Sequence, residues 1–333
     1  MPSDSHSELT ILIPVLNEYS RIVPCLDSIW KQDYPSERFE VIIADGGSSD
    51  GTQQLIRDTY PDRPNLRIID NPKRTQAAAF NLGIAHSTAP YLMRMDAHCI
   101  YAPSYVRLIL QHLKEDEHRG NVGGAWDFAP GADTYIGNAI CIFNQCRFGI
   151  GGATFRVGGK AGEVDTVPFG AFPRKVIDLI GGMNEILFRG EDNEYNARIH
   201  SKGYTVFFDP QIRCTYYCRS NLKACLQQMY ANGLSIGLLM RYAPYGIGLR
   251  HMVPAAFMLS LFLGIALLFV PFGWIFLTMD LLAYFTVGLI ASFLAARKFG
   301  LQYLGVLPFI FFTNHIAYGA GTIIGLFRYF LFS

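Results

Sequence analysis

Three apolar runs in the first hundred residues each stop at hard polar groups, and this pattern narrows the fold more than any other feature. Residues 9–16 end at Asn17-Glu18, residues 39–44 at Asp45-Gly46-Gly47, and residues 91–95 at Asp96-Ala97-His98. The runs are short and near-continuously apolar, the first of them rich in β-branched residues, so they read as strands buried on both faces. Helical patterns separate them: Ile22, Leu26, Ile29 and Trp30 share one face, and residues 76–85 form an Ala-rich helix capped by Thr75 after a further strand at 66–69. Doubly buried strands alternating with helices predict an α/β domain with a mixed, mainly parallel sheet flanked by helices. In such sheets ligands lie outside the carboxyl ends of the strands. All three polar stops fall at those ends.

Composition removes several classes of function. The chain has 333 residues and a net charge of +1, with no Lys/Arg block, so nothing favours a nucleic-acid partner. Gly-x-Gly-x-x-Gly is absent after the first strand and no Walker A run exists, which disfavours nicotinamide enzymes and the usual ATPases. The seven cysteines form no Cys-x-x-Cys pair; reduced, buried thiols suit them better than zinc. The polar residues 1–8 and the short apolar run after them do not make a signal sequence, which places the first domain in the cytoplasm.

Candidate chemistry sits at the polar stops. In a strand, residues i and i+2 share a face, so Asp96 and His98 would converge as a carboxylate and an imidazole, an open partial site for Mn²⁺ or Mg²⁺ with room for a diphosphate. The bland alternative is a strand-end turn former. Asp45 is a candidate acceptor for the base or ribose of a nucleotide, with Gly46 and Gly47 admitting close backbone approach; a simple tight turn is the alternative. Farther on, residues 131–160 read as an irregular, glycine-rich loop and helix over the site. Gly190-Glu191-Asp192 suits a helix start, where acids are favoured by the macrodipole. Neighbouring helical side chains diverge by about 100°, so one of Glu191 and Asp192 is expected to face the site while the other packs or caps.

These pieces resemble the family 2 glycosyltransferases of the GT-A nucleotide-sugar fold. The resemblance rests on residues 13–18, Asp45 to Thr52, Arg74 to Asn81, Asp96-Ala97-His98 in place of Asp-x-Asp, and Gly190-Glu191-Asp192 in place of the Glu-Asp base motif, in order over residues 9–217. Enzymes of succinoglycan-type exopolysaccharide synthesis are the most similar group. Two departures stand out. His98 replaces an acid, which implies altered metal preference. The Gln-x-x-Arg-Trp motif of processive synthases is missing, with Gln227-Gln228-Met229-Tyr230 at its place. The resemblance implies inverting transfer from a nucleotide sugar, UDP-glucose or similar. Asp192 would be the base, and Asp96 with His98 would hold the divalent metal. Asp45 and the backbone of Pro14, Val15, Asn17 and Glu18 would hold uridine beside Gly46, with Arg74 and Asp96 near the phosphates.

Charge nearly vanishes after Arg250. The expected layout is a catalytic domain at 1–220, amphipathic interfacial or linker helices at 221–250, and a transmembrane region at 251–333. Spans are expected at about 252–270 and 279–296, the length a bilayer needs. A third run, 303–326, is interrupted by Pro308 and Asn314-His315 and is compatible with a span, a re-entrant segment or a packed interfacial helix. Arg250 and Arg297-Lys298 put both ends of the first hairpin on the cytoplasmic side of the inner membrane. The implied acceptor is a polyprenyl-diphosphate-linked saccharide. A processive polysaccharide synthase and a non-catalytic nucleotide-sugar-binding protein are the rival readings.

Overall fold

The computed structural model describes residues 7–331. The chain divides into two compact units, one made of residues 1–127 and 158–216, the other of 128–157 and 217–333. The first unit carries the sheet. Its strands are β1 (Leu9–Val15), β2 (Phe39–Asp45), β3 (Leu66–Asp70), β4 (Tyr91–Arg94), β5 (Cys99–Tyr101), β6 (Arg119–Ala129), β7 (Gly162–Glu163), β8 (Ala171–Pro173) and β9 (Thr205–Tyr217), the last residues of β6 and β9 reaching into the other unit. Their order is β3-β2-β1-β4-β8-β6-β9-β5, with β7 paired to β9. β1 is parallel to β2 and β4, and β2 to β3, while β8 runs antiparallel to β4 and β6.

The parallel half follows directly from the apolar runs. Leu9, Ile11, Leu12 and Ile13 of β1 and Val41, Ile42 and Ile43 of β2 are fully buried, as strands covered by helices on both faces must be. From β1 the chain winds outward to β2 and β3, then returns to place β4 on the other side of β1. The strand order reverses between β1 and β4, and the crevice at such a reversal is where doubly wound sheets take ligands.

Two local expectations are corrected. β4 stops at Arg94, so Asp96 and His98 lie in a turn, closed by the Cys99 amide on the Asp96 carbonyl at 3.2 Å, and strand alternation does not place them. β9 runs through Asp209-Pro210; the Asp209 carboxylate accepts from the Gln211 amide at 2.8 Å and bonds His112 at 2.7 Å. The stretch expected as an irregular loop and helix is more regular than that, forming three helices, Tyr135–Asn144, Arg147–Ile150 and Thr154–Val157. The first is capped by Thr134, whose hydroxyl accepts from the Gly137 amide at 3.0 Å.

The second unit is helical. Leu222–Tyr242 packs along Leu307–Gly325 through two small-residue seams, Gly233 with Gly237 and Gly321 with Gly325. A Cβ on Gly237 would lie 1.9 Å from the Gly325 carbonyl, and one on Gly321 would lie 2.2 Å from that of Tyr230. The segment expected as an amphipathic interfacial helix is thus half of a backbone-to-backbone helix pair of the kind small residues permit. Within the same unit Phe143 meets Phe311, with ring centroids 6.1 Å apart.

The apolar tail is arranged differently from the expectation. The first predicted span forms a helix of only 15 residues, Val253–Leu267, ended by the turn that carries Pro271 and Gly273. Among the described residues, two helices are long and apolar enough to cross a membrane: Trp274–Phe299 and 307–330. The run left open by the sequence is one of them. Trp274–Phe299 keeps Val287, Ile290, Phe293 and Leu294 exposed, and only 11% of its most apolar window is buried. An apolar surface that continuous is stable against lipid and costly against water.

Candidate active site

The site is built by the loops after β1, β2 and β4 together with the start of the helix Glu191–Ser201, all in the first unit. The first two loops are woven together. Asn17, at the end of β1, adopts φ 57°, a left-handed conformation that asparagine tolerates better than most residues. Its amide donates to Ser48 Oγ at 2.9 Å, and its Oδ1 accepts from the Ser49 amide at 2.9 Å. The Glu18 amide donates to Thr52 Oγ1 at 3.0 Å and the Tyr19 amide to Asp50 at 3.0 Å. Pro14 and Val15 lie in β1 opposite Ala44 and Asp45, and the Gly46 amide closes on the Val15 carbonyl at 2.8 Å.

Asp45 organises its own loop. Oδ1 accepts from the Gly47 and Ser48 amides and from Gln53 Nε2, each at 2.8 Å, and Oδ2 from Ser48 Oγ at 2.7 Å. Burial alone would raise this carboxyl, but the bonds from Ser48, Gln53 and Gly47 hold it below the usual carboxylate range. Oδ1 is saturated, while Oδ2, with a single protein partner, keeps room for one more donor. Gly47 needs its glycine: φ is +80°, and the exposed Arg74 guanidinium lies over it, 3.2 Å from where a Cβ would stand. Arg74 itself takes φ 57°, unusual for a long side chain. No carboxylate pairs with it among the described residues.

The centre of the site is a residue that sequence reasoning passed over. Arg94, the last residue of β4, stands opposite Leu12 of β1, and its amide donates to the Gly170 carbonyl at 3.0 Å. Its guanidinium reaches three carboxylates. Nε and Nη2 donate to Asp96 at 3.0 and 3.4 Å; Nη1 donates to Glu191 at 3.1 Å and to Asp192 at 2.6 Å. The Arg94, Asp96 and Glu191 side chains are 4%, 7% and 6% exposed, whereas Asp192 is 34% exposed. Glu191 is buried and Asp192 part-exposed, yet both reach Nη1, because the guanidinium lies across the helix start. The available signal was an arginine inside an otherwise apolar strand, since a buried cation requires buried partners.

Three carboxylates around one guanidinium leave an excess of negative charge, and Asp192 shows it. Loss of hydration raises its carboxyl to about 7; Arg94 pulls it down, while Glu191 and Asp96 push it up. Its Oδ1 is held by Arg94 and Oδ2 has no partner among the described residues. A carboxylate so placed can accept a proton near neutral pH.

The turn after β4 offers a divalent cation one carboxylate and one imidazole. Arg94 and Gln76 take three of the lone-pair positions of Asp96, which leaves one. His98 Nδ1 lies 3.8 Å from Glu18 Oε1, and its ring meets Tyr216 edge-on with centroids 5.3 Å apart. Carboxylate oxygen and imidazole nitrogen suit Mn²⁺ or Mg²⁺. No group of three protein ligands converges among the described residues, so diphosphate oxygens and water would complete such a site. The seven cysteines are free thiols, six of them buried.

Residues 10–158 match the profile of Glycosyl transferase family 2. The chain is 30% identical over 272 residues to the succinoglycan biosynthesis protein ExoA of Rhizobium meliloti, covering 76% of this chain and 77% of that protein. It is 29% identical over 251 residues to a dolichyl N-acetyl-α-D-glucosaminyl phosphate 3-β-D-2,3-diacetamido-2,3-dideoxy-β-D-glucuronosyltransferase of Methanococcus voltae, covering 72% and 76%. In fold it is similar to the mannosyltransferase PcManGT of Pyrobaculum calidifontis, solved with GDP-Man and Mn²⁺: TM-score 0.60 at 20% identity, over 96% of this chain and 87% of that one. A GT-A-type sheet with its polar loops gathered at the strand reversal, together with this relationship, shows that the chain belongs to glycosyl transferase family 2 and is a glycosyltransferase.

Proposed function

We propose that the protein transfers a sugar from a UDP-linked donor to a polyprenyl-diphosphate-linked saccharide at the cytoplasmic face of the membrane, with inversion at the anomeric carbon. The observation that carries the reading is Asp192: one oxygen is fixed by Arg94, the other is unpartnered, and the side chain is the most exposed of the three carboxylates in the cluster. It accepts the proton of the attacking hydroxyl in a single displacement. Oδ2 of Asp45 receives a donor from the base, beside the backbone of Pro14 to Glu18. Arg74, an exposed cation above the Gly46-Gly47 backbone, meets the phosphates. Asp96 and His98 hold the divalent cation, with Glu18 beside the imidazole. Such a cation, when bound, supplies Lewis-acid stabilisation of the departing diphosphate.

The solved neighbour holding a nucleotide sugar with Mn²⁺ supports the donor and metal classes, and the Methanococcus relative, named for a dolichyl-phosphate-linked acceptor, supports a lipid-linked one. The two apolar helices support membrane attachment. The test is transfer by membrane fractions supplied with a panel of nucleotide sugars and a polyprenyl-diphosphate saccharide. UDP-sugar-dependent extension by one residue, abolished by EDTA and restored by Mn²⁺ or Mg²⁺, is expected. Extension only from GDP-mannose would overturn the donor assignment, polymeric product would favour a processive synthase, and full activity of His98→Ala in EDTA would remove the metal from His98.

A further inference from the structure

We propose that Arg94 is a positioning residue for transfer, setting the base carboxylate Asp192 in register with the donor-side carboxylate Asp96. This rests on the functional reading above and adds a residue to it. The geometry is that of a fork with every nitrogen in use: Nε and Nη2 on Asp96, Nη1 on both Glu191 and Asp192. A planar guanidinium fixes the direction as well as the distance of its partners, which a lysine ammonium does not. The fork is also anchored. Arg94 ends a strand paired on both sides, to β1 and β8, and its amide is bonded to Gly170, so its backbone belongs to the rigid centre of the sheet. The helix start that carries Asp192 has no such anchor. Gly190 precedes it at φ 81° without a side-chain cap, and its acids are tied to the sheet by Arg94.

A purely structural ion pair would match one acid to one base, because unneutralised buried charge is costly. Here one cation holds three acids, and the least buried of them, Asp192, keeps Oδ2 without a partner among the described residues while Glu191 lies buried. That division of labour fits alignment: Asp96 and Glu191 fix the guanidinium, and the guanidinium aims Asp192. Arg94 itself moves no proton and touches no substrate.

The decisive variant is Arg94→Lys, which keeps the charge and loses the fork. It is assayed alongside wild type for kcat, donor KM, nucleotide-sugar binding by calorimetry and thermal unfolding. The expected result is a fall in kcat of about 10²-fold, the scale of a misplaced catalytic group, with donor affinity within a few-fold and an unfolding midpoint close to wild type. Wild-type kcat in Arg94→Lys, or a loss confined to the unfolding midpoint, would overturn the proposal and leave Arg94 a stabilising pair. If Arg94→Lys does not fold, Arg94→Gln combined with Glu191→Gln removes one charge of each sign, and the same split in kcat decides. Wild type that binds no nucleotide sugar would instead defeat the functional reading, an outcome the calorimetry separates from failure of Arg94 alone.

Discussion

The two units of this chain carry opposite charge. Residues 128–157 and 217–333 hold nine basic and two acidic residues, a formal +7, against nineteen basic and twenty-five acidic in the rest, a formal −6. The whole-chain value of +1 conceals both. The acidic unit buries a charge cluster, Arg94 with Asp96 and Glu191, among strands whose apolar residues are covered. The basic unit does the reverse: Phe269 is 91% exposed and the charges sit at helix ends, Arg241, Arg297 and Lys298 among them. Buried charge suits chemistry on a polar ligand, whereas an apolar exterior with cations at helix ends suits a bilayer. Substitutions in one unit should therefore leave the property of the other unchanged.

The sharpest break is expected at the base. Asp192→Asn should lower transfer by roughly 10²–10⁴-fold, the range for a positioned general base, while nucleotide-sugar affinity and membrane association stay as in wild type. Glu191→Gln should cost less, because Glu191 is buried behind the guanidinium; a dead Glu191→Gln with an active Asp192→Asn would exchange their roles. Next comes the helix pair. Gly237→Leu forces a side chain against the Gly325 carbonyl and should destabilise the second unit by about 1–3 kcal/mol or more. It should be read as a lower unfolding midpoint in detergent with nucleotide binding retained; equal loss of both would show that the units are not separable.

A smaller effect is expected with pH. A base with its carboxyl near 7 gives a kcat that rises about tenfold per unit below that point and levels above it. The stability effect has the opposite sign. Between the ordinary carboxylate range and about 7 the folded protein binds more protons than the unfolded chain, so stability falls as pH rises through that window. Asp192→Asn should flatten both slopes. The smallest effect is expected at the surface: Arg67 pairs with Glu40 at 2.9 Å and is 45% exposed, so Arg67→Ala should shift stability by no more than about 1 kcal/mol and leave transfer intact.

Much of the sheet was legible because buried parallel strands write themselves as unbroken apolar runs, and the loops after β1 and β2 because Asn17, Asp45 and Gly47 are residues that turns demand. Asp96, His98 and Asp192 could be named from their motifs. Their geometry could not, since Asp96 and His98 occupy a turn and the partner that gathers Asp96 with Asp192 is the last residue of the strand before it. The tail was legible in composition and not in length: periodicity does not reveal that the first apolar helix stops at Leu267, nor that glycines spaced by four on two distant helices meet. Least legible was the allegiance of 128–157, whose glycines and aromatics carry no local sign that they belong with residues far downstream.

That allegiance has a consequence for biosynthesis. The helix Tyr135–Asn144 leaves the ribosome long before the helix Leu307–Gly325 on which its Phe143 packs, a separation of roughly 150 residues. At about 5–20 residues per second, it waits on the order of ten to thirty seconds, while the acidic unit is being completed on both sides of it. Until then Phe143, buried in the finished protein, lacks its Phe311 partner. Sequence separation thus delays this contact, as it does any non-local pairing. A second polypeptide beginning at residue 217, synthesised separately, would shorten that wait.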